Sequence, residues 1–277
     1  MIIFTEKADI LAFANKSAEH SSVGFVPTMG ALHMGHFSLF EKCRAENEIC
    51  IASIFVNPLQ FNDKDDFNAY PSTPESDLEI LKNAGFDAVF MPNASSFFEG
   101  ETLPEPNLGS LNERMEGLYR PGHFEGVYQV VHLLFSYIKP HFAYFGQKDY
   151  QQVAVIRNMV KQEGHNTQII ACPTIREMNG LAMSSRNRRL SPQMFDNAAK
   201  VSTFLLNLNP TLTIEAKDLK EQFDALLHSL GLEPEYIEIC NPHTLEPIPV
   251  YTQGPAVVCI AYYAGDVRLI DNVIWEN

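Results

Sequence analysis

No apolar run in the 277-residue chain approaches the roughly 20 residues a helix needs to cross a bilayer. Its start, MIIFTEKADI, lacks a basic segment followed by an apolar one, so no secretory signal is expected and the reducing cytoplasm is the expected location. Cysteine is sparse and odd in number, five in all, with no CxxC pair, which argues against a disulfide framework or a zinc ribbon. Cys50, Cys172 and Cys259 lie in apolar stretches and read as small buried hydrophobes. Positive charge is also scarce: 20 Lys and Arg stand against 34 Asp and Glu, a net −14. A nucleic-acid or membrane-surface partner, which needs a basic face, is therefore not expected. A small anionic ligand is still allowed, because a few Lys and Arg focused in one cleft outweigh a distant negative surface. There is no internal repeat and no low-complexity tract.

What is present suffices for a sizeable core: 45% of residues are hydrophobic, and the length suits one large or two modest domains. Short apolar runs read as buried strands at 23–26, 49–56, 88–91, 142–145 and 168–171. Helical patterns separate them. One opens at Thr73-Pro74, an N-cap followed by proline, and stops near Gly85. Another carries Val127, Val130, Val131, Leu134 and Ile138 on one face, and a third spans 151–163. This alternation predicts a Rossmann-like, doubly wound parallel sheet over 1–174. Beyond it the rhythm changes. Helices are expected over 192–206 and 214–230, and strands at 236–240, 256–263 and 267–270, the last two joined at Ala264-Gly265-Asp266. Residues 175–277 thus read as a smaller α+β lid domain.

Five segments carry chemistry. The first, PTMGALHMGH over 27–36, joins a strand to a helix through a glycine turn and places His33 and His36 three apart. Backbone N–H groups at a helix start attract phosphate, and imidazoles there can donate to a phosphate in its transition state. Alone, such a pair is more often a solvated turn, and a zinc pair would need further ligands that no spacing suggests. The second, FVNPLQF over 55–61, follows a strand at the edge where open α/β sheets bind ligands, and Asn57 and Gln60 offer neutral amides suited to a hydroxy acid. The third, RPGHFEGV over 120–127, brings Arg120 and His123 to a helix start in a site-shaping capacity. In the fourth, FGQKDYQQ over 145–152, Lys148 can reach a triphosphate, and Asp149 can accept from ribose hydroxyls or from a metal's water shell. In the fifth, MSSRN over 183–187, hydroxyls and a guanidinium suit a leaving pyrophosphate.

The first string resembles the HxGH signature of the nucleotidyltransferase superfamily. In its longer form it is similar to the N-terminal signature of the pantothenate synthetase (pantoate–β-alanine ligase) family. The remaining strings resemble that family's FVNPxQF, RPGHFxGV, FGEKDxQQ and MSSRN motifs, in order across 27–187.

The resemblance implies ATP-dependent condensation of (R)-pantoate with β-alanine to give pantothenate through a pantoyl adenylate, with Mg²⁺ bridging the phosphates. It implies ATP contacts from Met29, Gly30, Ala31, Leu32, His33, Met34, Gly35 and His36, from Gly146, Gln147, Lys148 and Asp149, from Ile175 near the adenine, and from Met183, Ser184, Ser185 and Arg186. His36, with His33, Lys148 and Arg186, is the implied catalytic set. Gln60 and Gln152 are the implied pantoate contacts, with Gln60 also beside β-alanine. No residue is assigned as a dedicated metal ligand, and a homodimer is implied. One position departs from the pattern: the family's glutamate is Gln147 here. If that carboxylate serves a structural hydrogen bond, glutamine partly replaces it; if its charge matters, nucleotide or metal affinity changes. A related nucleotidyltransferase with another product, or a nucleotide sensor without turnover, is the competing reading.

Overall fold

A computed structural model describes residues 1–61, 67, 68 and 70–276. Part of the polar connection expected over 57–70 lies outside the described residues. The first 172 residues build one sheet from β1 (Ile2–Phe4), β2 (Val23–Thr28), β3 (Ile49–Ile54), β4 (Ala88–Phe90), β5 (Phe142–Gly146) and β6 (Gln168–Cys172). The strand order is β1-β4-β3-β2-β5-β6, and every neighbouring pair is parallel. The chain works outward from β2 through β3 and β4, then crosses to β5 on the other side. The point of reversal lies between β2 and β5, and in such sheets the crevice beyond the strands' carboxyl ends there is where ligands bind.

The helices of this part are α1 (Lys7–Ala18), α2 (Met34–Glu46), α3 (Pro74–Asn83), α4 (Ala94–Phe97), α5 (Met115–Tyr119), α6 (His123–Ile138) and α7 (Tyr150–Gln162). They cover both faces, so β2 to β5 read as near-continuous apolar runs rather than as alternating ones. Helix α6 begins four residues before the apolar stripe that announces it, at His123, just after Gly122 at φ 82°. Strand β1 has no counterpart in the sequence reading. It is three residues long and lies at the sheet edge, where Ile2 and Ile3 remain half exposed, so no buried apolar run marks it.

The later part carries α8 (Pro192–Leu206), α9 (Ala216–Ser229) and a three-stranded antiparallel sheet of β8 (Glu233–Cys240), β10 (Ala256–Ala264) and β11 (Val267–Trp275), ordered β11-β10-β8. Strands β7 (Ile214–Glu215) and β9 (Val250–Tyr251) form a separate two-residue pair. The helix expected from 214 therefore starts two residues later, because 214 and 215 are extended and Ala216 N donates to Pro249 O. The β10–β11 hairpin turns at Gly265-Asp266, with Gly265 at φ 61°.

This sheet is buried on both faces. Ile237, Ile239, Val258 and Ile260 pack with α8 and α9. Tyr236, Cys240, Val257 and Cys259 join the core formed by α6, α7 and the parallel sheet. All five cysteines are buried and free, as their apolar settings suggest for three of them. Among the described residues no helix is long and apolar enough to cross a membrane.

One close approach fixes the edge of the crevice. A Cβ on Gly126 of α6 would lie 2.4 Å from Leu59 O, and Asn57 Nδ2 donates to Gly126 O at 3.0 Å. Gly126→Ala is expected to lower stability by about 1–3 kcal/mol, the usual cost of overpacking. The check is a fall in denaturation midpoint at unchanged m-value; an unchanged midpoint would mean that the turn at 58–60 yields freely.

Candidate active site

Strand β2 ends at Thr28, whose hydroxyl donates to Ser53 O at 2.7 Å and accepts from Gly30 N at 3.2 Å. The chain then turns through two left-handed residues, Gly30 at φ 80° and Ala31 at φ 50°. What holds this turn is Asp77, buried in the first turn of α3. Its carboxylate accepts from Ala31 N at 2.9 Å, from Leu32 N at 2.8 Å and from the Thr73 hydroxyl at 3.2 Å. Position 30 must stay bare, since a Cβ there would meet Asp77 Oδ2 at 2.9 Å.

His33 and His36 cap α2 reciprocally. His33 Nδ1 accepts from Gly35 N at 3.1 Å, and His36 Nδ1 accepts from His33 N at 3.2 Å. A backbone N–H only donates, so both Nδ1 atoms carry lone pairs, and each neutral ring holds its proton on Nε2. The ring centroids are 4.2 Å apart. Burial, reinforced by the charges of His36, Lys148 and Arg188, lowers the His33 pKa to about 3, and burial lowers that of His36 to about 4. At neutral pH the pair therefore presents two uncharged Nε2–H donors. The amides of Gly30, Ala31, Leu32, His33, Gly35 and His36 are all engaged within the protein.

The turn after β3 supplies Gln60, whose amide is held between Asn57 Nδ2 at 3.1 Å and Met29 Sδ at 3.2 Å. Asn57 caps this turn and is itself buried, so it shapes the wall rather than meeting solvent. His123 Nδ1 lies 2.9 Å from Gln60 O, and Arg120 Nη1 lies 3.1 Å from His123 Nε2. Because arginine only donates, His123 carries its proton on Nδ1 and links Arg120 to the Gln60 backbone.

Beyond β5, Gln147–Asp149 make one 3₁₀ turn into α7. Of the two adjacent glutamines in that helix, Gln151 is consumed by the fold. It donates to Leu111 O and Arg114 O at 2.7 and 3.0 Å and accepts from Glu116 N at 3.0 Å. Gln152 faces the crevice. Ser184 caps the short helix Ser185–Arg189 through Arg186 N.

One cleft brings these segments together. Of the residues singled out in the sequence it is lined by Met29, His33, Gly35, His36, Gln60, Gly146, Lys148, Asp149, Gln152, Ile175, Met183, Ser184, Ser185 and Arg186, joined by Arg120 and His123. Gly30, Ala31, Leu32, Met34 and Gln147 do not line it. Gly30–Leu32 sit behind the wall on Asp77, and Gln147 lies against Asn272 of β11. In a chain of net charge −14 the described residues of the cleft wall include Lys148, Arg120 and Arg186 and, among them, one carboxylate, Asp149.

Residues of the supporting frame escape sequence reasoning. Asp77 is not singled out there. Arg176 pairs with the buried Asp271 at 2.6 and 3.0 Å, and Arg268 reaches Glu116 at 2.6 and 2.7 Å and also Glu235. The signal that could have found them is a pair of polar residues, Asp271-Asn272, interrupting an apolar strand.

A cationic cleft with uncharged imidazole donors, at the reversal point of a parallel sheet, defines an enzyme that transfers or activates groups on small anionic substrates. The family model described as pantoate-beta-alanine ligase matches residues 2–274. A pantothenate synthetase from Porphyromonas gingivalis is 47% identical over 289 aligned positions, covering 100% of both chains. One from Cytophaga hutchinsonii is 47% identical, covering 95% of each. The crystal structure of the Thermus thermophilus pantothenate synthetase superposes with a TM-score of 0.90 at 37% identity, covering 99% of both chains. That of the Francisella tularensis pantoate-beta-alanine ligase, complexed with beta-gamma ATP and beta-alanine, gives 0.83 at 36%, covering 99% of this chain and 97% of that one. The chain belongs to the pantoate–β-alanine ligase family.

The frame of the cleft ties stability to Asp77 and to the histidines. Asp77→Asn keeps the shape but turns an N–H toward a backbone donor, so unfolding free energy should fall by about 1.5–3 kcal/mol, the worth of hydrogen bonds to a charged group. Denaturant titration measures this, and a variant as stable as the parent would remove Asp77 from its role. The histidines make the fold acid-sensitive. Unfolded imidazole takes its proton near 6.5, whereas folded His36 resists protonation until about 4. Stability is thus complete above pH 6.5 and declines as acid carries the protein from 6.5 toward 4, where the unfolded chain binds more protons. His36→Gln keeps a capping side chain without a titrating ring, so its melting temperature should fall less steeply across that window; parallel slopes would show that His36 titrates normally.

Proposed function

We propose that this chain joins pantoate to β-alanine with ATP through a pantoyl adenylate, releasing AMP and pyrophosphate. One observation carries the reading: two neutral Nε2–H donors, Lys148, Arg186, Gln60 and Gln152 all line a single cleft. A carboxylate is a poor acyl donor until a good leaving group is attached. In the first half-reaction a pantoate carboxylate oxygen bonds to the α-phosphorus of ATP, and the bond to the bridging oxygen breaks, freeing pyrophosphate. In the second, the β-alanine nitrogen, having given up its ammonium proton to become a free amine, bonds to the acyl carbon, the bond to AMP breaks, and the nitrogen loses a second proton to water.

Such transfers depend on positioning and on matching developing charge. His36 and His33 donate to the α-phosphate oxygens as negative charge gathers there. Lys148 and Arg186 neutralise the departing pyrophosphate, with Ser184 and Ser185 as hydroxyl donors. Asp149 accepts from the ribose hydroxyls, and the Ile175 backbone meets the adenine, with Met29, Gly146 and Met183 forming walls. The other members of 29–36, Gly30, Ala31, Leu32, Met34 and Gly35, act by shaping the turn, and Gln147 by shaping the next. Gln60 and Gln152 hold pantoate, with Gln60 also beside β-alanine.

Mg²⁺ would add neutralising charge on the phosphates. Among the described residues no group of three or more His, Cys, Asp and Glu could hold a metal, and Asp149 is the cleft's one carboxylate. These residues fit a cation carried chiefly by the phosphates, with Asp149 reaching its water shell. The reading extends to residues 175–277 acting as a lid domain on a 1–174 nucleotide- and pantoate-binding domain, to a cytoplasmic homodimer, and to small molecules as the only substrates.

The test is incubation with ATP, Mg²⁺, pantoate and β-alanine, omitting each component in turn. AMP and pantothenate should appear together only in the complete mixture, and ATP binding without turnover would leave a sensor instead. His36→Ala should slow adenylation by about 10²–10³-fold, the usual effect of removing one such donor. A near-normal single-turnover rate would dismiss the assignment.

A further inference from the structure

The turn that presents Lys148 has no cap of its own: neither the 3₁₀ turn Gln147–Asp149 nor the start of α7 receives a side-chain hydrogen bond from its N-cap residue. Support of another kind, given to the turn's carbonyls and not to its free N–H groups, comes from the other sheet. Asn272, in the middle of β11 and 3% exposed, points its amide at this turn. Nδ2 donates to Gln147 O at 3.0 Å and to Lys148 O at 2.9 Å, which uses both of its hydrogens. Oδ1 lies 3.5 Å from Gln147 Nε2. Asn272 is itself fixed from behind. Its backbone N donates to Asp271 Oδ1 at 2.8 Å, and that carboxylate is locked by Arg176 and by the Ser202 hydroxyl at 3.0 Å.

We propose that Asn272 is a positioning residue for the first half-reaction, setting the place of Lys148 in the cleft by holding the carbonyls of Gln147 and Lys148 from β11. The assignment rests on the ligase reading of the site. Asn272 touches no substrate; it acts through the lysine backbone, and a phosphate-facing ammonium displaced by even a fraction of an ångström neutralises less of the charge that develops. The neighbouring side chain on the strand, Asp271, is committed to Arg176 and, as a carboxylate, has no hydrogen to give these carbonyls.

A double-mutant cycle separates positioning from bulk stability. Single-turnover adenylation is measured at saturating pantoate for the parent, Asn272→Ala, Lys148→Ala and the double variant, with folding followed by circular dichroism. Asn272→Ala should lower kcat/KM for ATP about tenfold, the size expected when two buried carbonyls lose their donor. In the Lys148→Ala background the same change should cost less than about twofold, because contacting groups are coupled. If Asn272→Ala fails to fold, Asn272→Ser, which keeps one donor, takes its place. An equal loss in both backgrounds, or no loss in either, overturns the assignment while leaving the ligase reading intact. A parent chain that forms no adenylate overturns both.

Discussion

The site is assembled across two sheets, and β11 is the strand that joins them. Three of its residues reach three different segments of the cleft wall. Arg268 pairs with Glu116 beside Arg120, Asp271 pairs with Arg176 next to Ile175, and Asn272 holds the backbone of Lys148. Glu116 and Asp271 are buried, and their carboxylates have no aqueous alternative. Breaking such a pair leaves an uncompensated charge and typically costs about 3–5 kcal/mol, whereas its net worth against an apolar replacement is small. These pairs therefore serve geometry more than stability. They tie the antiparallel sheet to the parallel part of the chain, in an arrangement where the serine–arginine loop and the histidines line the same cleft.

The electrostatic logic of the cleft follows from the same packing. Lys148, Arg120 and Arg186 already provide fixed positive charge in the cleft wall, and a protonated His33 would be repelled by Lys148 and Arg188, while a protonated His36 would be stripped of solvent. Burial keeps both rings neutral, helped at His33 by the charges of Lys148 and Arg188, and the reciprocal cap on α2 directs their protons to Nε2. Donors that need no reorientation as charge develops are what a phosphoryl-type transition state rewards. Four local amides are spent on Asp77 and on the imidazoles.

Much of this was legible in the sequence, and the limits have physical causes. The parallel sheet could be read because its strands, buried on both faces, are continuous apolar runs, and α6 because its stripe is unbroken. Chemistry-bearing side chains that face the cleft announced themselves as motifs: His33, His36, Gln60, Lys148, Gln152 and Arg186 all line it. The supporting frame did not. Asp77 in TPESDL looks like any acidic first turn until its burial is known, and Gln151 looks like a twin of Gln152 although only one faces the cleft. Strand β1 is too short and too exposed to leave a pattern. Partners such as Asn272 and Lys148 are 124 residues apart, and no local rule links them.

Gln147 shows how the frame resolves a question the motif leaves open. The departure from glutamate could matter through lost charge or through an altered hydrogen bond. The residue does not line the cleft, and its amide nitrogen lies near Asn272 Oδ1 on the side turned toward β11. Since both Asn272 hydrogens are committed to the carbonyls of 147 and 148, the oxygen it turns to position 147 asks for a donor, and glutamine supplies one. In this structure Gln147 thus takes part in the contact between the sheets.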